Sequence, residues 1–113
     1  MDTEKLVNEI CAVLNSKKAQ DVVKINVTEK TTVADYFIVA SGRTATQVRS
    51  LAENVEDTIE KNHGVYIRRR EGLQEGRWAV LDYGDVVVHI FNDDQRLFYH
   101  LERLWGEGER VDD

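Results

Sequence analysis

Apolar and polar positions along the chain change period several times, and each change marks an element. From Glu4 to Ser16, Leu6, Ile10, Val13 and Leu14 recur at helical spacing, which predicts an amphipathic helix ending before Ser16-Lys17-Lys18. Asp21 to Val27 alternates instead. Val23, Ile25 and Val27 face one way and Lys24 and Asn26 the other, as in a half-buried strand. Thr28 to Thr32 is a polar connection. The run Tyr36-Phe37-Ile38-Val39-Ala40 is continuously apolar, too short for a helix and rich in β-formers, so it reads as a central strand covered on both faces.

After the turn Ser41-Gly42-Arg43, Thr44 to Gln47 has the spacing of a capping box. Behind it Val48, Leu51, Ala52, Val55 and Ile59 form the stripe of a second helix, which should stop at Asn62-His63-Gly64 with Gly64 in the left-handed cap. Val65 to Arg70 reads as a strand and Glu71 to Gly76 as a polar loop. Trp78–Asp82 and Asp85–Phe91 read as two strands joined by a tight turn at Tyr83-Gly84. Asn92 should cap a last helix with Gln95 at its third position and Leu97, Leu101, Leu104 and Trp105 as its buried stripe. The order α-β-β-α-β-β-β-α implies an α/β (α+β mixed sheet) fold of about five strands with helices mainly on one face. One domain over residues 1–105 is expected, followed by a short, acidic, mobile tail over 106–113.

Composition narrows the class. Of 113 residues, 42% are apolar and 32% charged, which suits a folded globule. A net charge of −6 argues against docking along a phosphate backbone and suits a basic protein partner. Arg68-Arg69-Arg70 is one local basic patch, but alternation along a strand splits the three between faces. A solvated edge is its default reading and contact with RNA the weaker one. Cys11 is the only cysteine and lies on an apolar helical stripe, so it reads as a small buried hydrophobe in a reducing, cytoplasmic setting. No leader-like apolar region or bilayer-length apolar run is present.

The hairpin carries the informative surface. A turn at Tyr83-Gly84 pairs Asp82 with Asp85, Leu81 with Val86, Val80 with Val87, Ala79 with Val88 and Trp78 with His89. Ala79, Leu81, Val86, Val88 and Ile90 then share an aliphatic core face. Trp78, Val80, Asp82, Asp85, Val87, His89 and Phe91 share the other. With helices on one side only, the second face is an amphipathic patch of the kind that binds partners. Read from the residues alone, a helix could equally cover it and make Trp78 ordinary core.

Catalytic readings are weaker. Asp35, Glu71, Asp82 and Asp85 could be imagined as metal-binding carboxylates, yet no Asp-x-Asp pair follows Ser41-Gly42-Arg43, and Asp82 and Asp85 flank a turn that favours Asp for its own reasons. His63 and His100 read as solvated. His89 has no Ser or Cys partner at recognisable spacing and reads as a packed or interface histidine. No phosphate-cradling loop is present.

Two stretches, Asp35 to Val48 and Trp78 to Phe91, the latter followed by Arg96, Tyr99, Leu101, Glu102, Leu104 and Trp105, resemble the Iojap/RsfS family of ribosomal silencing factors. The resemblance covers nearly the whole chain apart from its ends. It implies a nucleotidyltransferase-like fold without enzymatic activity, metal or cofactor. It also implies docking on the large ribosomal subunit through ribosomal protein fourteen, a block on subunit joining, repression of translation, and homodimers when free. Mapped on this sequence, the contact surface implied is Trp78, Leu81, Asp82, Tyr83, Asp85 and His89. The hairpin register places Leu81 on the core face, against that assignment.

Overall fold

A computed structural model describes residues 1–93 and 108–111. The last helix expected from Leu97, Leu101, Leu104 and Trp105, and with it His100, lies outside the described residues. The elements are α1 (Thr3–Ser16), β1 (Gln20–Asn26), β2 (Tyr36–Gly42), α2 (Ala45–His63), β3 (Arg69–Glu71), β4 (Trp78–Asp82), β5 (Val86–Asn92) and β6 (Glu109–Arg110). Among the described residues the strands form one mixed sheet in the order β3-β4-β5-β2-β1-β6. The central pair β2–β5 is parallel and the other pairs are antiparallel.

Both helices begin and end where their sequences say. Asp2 caps α1 by accepting from Lys5 N at 2.8 Å. Thr44 Oγ1 accepts from Gln47 N at 3.0 Å, while the Gln47 carboxamide accepts from Arg43 N at 2.7 Å, one residue before the position a standard capping box uses. Gly64 closes α2 at φ +65°.

The stripes of α1 and α2 pack on one face of the sheet, against Ile38, Ala40, Ala79, Leu81, Val86, Val88 and Ile90. Cys11 sits in this layer at 1% exposure, and burial pushes its thiol up to about 11, which leaves it protonated and inert at neutral pH. The opposite face holds a second apolar cluster built on Ile25, Val27, Ala34, Phe37, Val39, Val87 and Phe91, with no residue from α1 or α2.

Three expectations are corrected. First, only Arg69–Glu71 pairs as a strand where Val65 to Arg70 was expected, because Val65 and Ile67 turn inward to pack against the helix-side core. Arg70 fastens this short edge to α2 through two hydrogen bonds, 3.0 and 3.2 Å, to the buried Glu56 carboxylate.

Second, the chain end is not a free tail at Gly108–Val111. Glu109 and Arg110 pair with Lys24 and Val23, and Val111 N donates to Val22 O at 2.8 Å. Asn15 adds a bond to Val111 O, while Glu109 lies 3.7 Å from Lys24 and Arg110 3.0 Å from Asp21. These charges thus serve the sheet edge.

Third, the hairpin register differs by two residues. Asp82 pairs with Val87, Val80 with His89 and Trp78 with Phe91. The cause is the turn. Asp82 Oδ1 accepts from Gly84 N at 2.7 Å, Gly84 takes φ +91°, and Tyr83 N donates to Val86 O, so Gly84-Asp85 forms the bend. A shift of two preserves the side-chain period, so every residue keeps the face expected for it.

Candidate docking surface

The site grows out of β4 and β5 on the face that α1 and α2 leave alone. On this face β5 presents Val87, His89 and Phe91, β4 presents Trp78, Val80 and Asp82, and β2 adds Phe37 beside Val87 through the parallel register. Trp78 is half-buried. Its ring stacks on Phe91 with centroids 5.1 Å apart at 25°, and its indole N–H donates to His89 Nδ1 at 3.0 Å. Phe37 meets the His89 ring edge-on at 5.0 Å and 72°.

Next to this aromatic group lies a depression of about 210 Å³ lined by Val33, Phe37, Arg69, Glu71, Val80, Asp82, Val87 and His89. Its floor is apolar and its rim charged. Val33 is 76% exposed at the lip, and Arg69 and Glu71 face each other at 3.4 Å. The rest of the face is closed: Val27, Val39 and Phe91 are 0%, 0% and 1% exposed. The amphipathic patch expected over the whole face therefore narrows to the strip along Trp78, Val80 and Asp82 with this depression.

The six residues singled out from the sequence divide accordingly. Trp78 and Asp82 are half-buried on the strip, and Asp85 is exposed at the bend. His89 is 7% exposed and forms part of the floor. Leu81 is 0% exposed beneath the helices, and Tyr83, 7% exposed, points into the same helix-side cluster. These two are corrections: alternation from Trp78 puts Leu81 and Tyr83 on the core side, so neither presents a surface. Burial and the nearby Glu56 and Glu60 carboxylates hold the Tyr83 phenol well above its ordinary range. Val33, Phe37, Arg69 and Glu71 were not foreseen. Phe37 was hidden because a continuously apolar strand gives no alternation to assign faces, and Val33 because it falls between the polar connection Thr28 to Thr32 and the strand from Tyr36, in no expected element.

His89 is a neutral imidazole. With Nδ1 accepting from Trp78, its proton sits on Nε2, which is buried without a hydrogen-bond partner. Leaving such a donor unpaired costs about 1–3 kcal/mol. Desolvation pushes the His89 pKa from 6.5 down to about 4. The unfolded chain thus binds a proton below pH 6.5 that the fold refuses. This contribution to stability is complete above that pH and drains away as pH falls toward 4. Urea midpoints measured across this window should fall with acidity in the parent and fall less in His89→Phe. Equal slopes in both would contradict the assignment.

Among the described residues, no three His, Cys, Asp or Glu side chains gather where they could hold a metal ion, and no helix is long and apolar enough to cross a membrane. Asp82, one of the four carboxylates weighed as metal ligands from the sequence, uses an oxygen to hold its own turn.

The fold and this surface define a class: a small mixed-sheet domain that presents an aromatic and acidic strip beside an apolar depression. Comparison with known proteins supplies the family. The whole chain, residues 1–113, matches the family described as "Ribosomal silencing factor during starvation", RsfS, and the chain belongs to it. Ribosomal silencing factor RsfS of Bacillus subtilis is 35% identical over 99% of this chain and 94% of its own length. Its counterpart in Zymomonas mobilis is 37% identical over 98% and 83%. A crystal structure of a protein from Chromobacterium violaceum superposes with a TM-score of 0.91 at 33% identity, covering 95% of this chain and 88% of that one.

Proposed function

We propose that this protein represses translation by occupying the large ribosomal subunit, through ribosomal protein fourteen, and holding the small subunit away. The observation that carries the reading is the strip on β4: a half-buried tryptophan beside an apolar depression, with carboxylates at its rim, in a chain that matches the silencing-factor family from end to end. Trp78 supplies apolar area with few torsions to freeze, and the depression can take an apolar side chain of the partner. Asp82 and Asp85 give the strip a sign that attracts a cationic partner, in keeping with the net charge of −6.

Silencing of this kind needs no reaction. The bound domain places its bulk where the other subunit would sit, so inhibition follows occupancy. In the free protein the same strip can bury itself against a second copy, and the dimer then competes with docking.

Sedimentation of the protein with purified large subunits at increasing salt tests the reading. One equivalent should travel with the particle at low salt, and the affinity should weaken as salt screens the carboxylates. Absence from the particle at low salt would refute the proposal. Asp85→Lys checks the electrostatic part separately. Asp85 is exposed and its side chain is not built into the core, so stability should hold while association slows several-fold at low salt, the difference closing at high salt. An unchanged association rate would remove Asp85 from the surface.

A further inference from the structure

His89 is an odd occupant for its place. Its neighbours across β4 and β2, Val80 and Val39, are apolar, and its ring lies 7% exposed with Nε2 buried and unpartnered. A phenylalanine of similar shape would fill the same layer without the buried, unpartnered Nε2–H, and would give up only the acceptor for the Trp78 indole N–H. Natural sequences break packing rules of this kind where function requires it.

What the imidazole does and an apolar ring cannot do is accept the Trp78 indole N–H, at 3.0 Å. Stacking on Phe91 at 25° sets the plane of the indole, but a half-turn about χ2 returns the ring to the same plane with its N–H edge reversed. The bond to Nδ1 fixes the rotation. We propose that His89, besides lining the floor of the depression, is a positioning residue of the docking surface, locking the Trp78 indole in one orientation so that its outward edge is set before the partner arrives. The inference rests on the docking reading above. Fixing an aromatic anchor in advance removes an ordering cost that binding would otherwise bear.

Two variants test it, read by urea unfolding, by hydrogen exchange of the Trp78 indole N–H in NMR spectra, and by sedimentation with large subunits. His89→Phe should unfold at a urea concentration equal to or above the parent's near neutral pH. It should nonetheless exchange its indole proton faster and bind about tenfold more weakly. His89→Asn offers a carboxamide oxygen in place of Nδ1 but leaves a gap. It should be less stable than His89→Phe, yet keep slower indole exchange and tighter binding. Stability and affinity therefore run in opposite orders across the pair, which a merely structural histidine would not produce.

Indole exchange unaltered in His89→Phe would overturn the lock. Parent-like binding by His89→Phe, or affinities that follow stability, would overturn its service to docking while leaving the docking reading intact. Failure of the parent itself to bind would take down both.

Discussion

Leu81→Ala should destabilise the fold by about 2–5 kcal/mol and leave the affinity of the folded protein for large subunits unchanged. Leu81 is 0% exposed, lies opposite Val88, and belongs to the cluster that α1 and α2 cover. Truncation removes the transfer energy of its methyl groups and opens a cavity between sheet and helices. A domain of this size has about 5–15 kcal/mol in total, so the loss is a large share of it. Urea unfolding measures the first half of the expectation, and binding titrations corrected for the folded fraction measure the second. A variant as stable as the parent that binds poorly would move Leu81 to the surface and contradict the placement described above.

Trp78→Ala should have the reverse profile in binding. Removing a central aromatic anchor typically costs about 2 kcal/mol or more, roughly thirty-fold in affinity. Some stability will go with it, because the stack on Phe91 is lost and His89 Nδ1 loses its donor. The two effects separate when dissociation constants are determined on protein shown to be folded by circular dichroism at the assay temperature. A folded Trp78→Ala protein with the parent's dissociation constant would remove this residue from the account.

The pair also shows what could be read from the chain alone. Strict alternation over Trp78–Asp82 and Val86–Phe91 separates the two faces, and it assigned Leu81 to the core against the contact list drawn from family resemblance. The helix stripes and Gly64 were equally plain, because capping and periodicity are local. Register was not. It depended on whether Asp82 joined the bend through its side chain, a choice between two turns that the letters Asp-Tyr-Gly-Asp permit. The short β3 and the pairing of Glu109 and Arg110 with β1 were hidden for a related reason: both are decided by tertiary partners far along the chain. The extent of the strip was hidden as well. How much of the second face is closed over, as at Val39 and Phe91, depends on packing that alternation does not encode.

These details matter because the proposed activity is mechanical. The aromatic and acidic strip has only to hold the domain in place, and the remainder of the fold supplies rigidity and bulk. Mechanical exclusion requires that repression scale with occupancy and that no substrate be consumed.

Light scattering during subunit joining is the most direct measurement. With purified subunits held constant and the protein added in rising amounts, the amplitude of association should decline in proportion to the large subunits occupied and level off at one protein per particle. Full-amplitude joining while the protein remains bound to the large subunit would contradict the claim that its bulk excludes the partner.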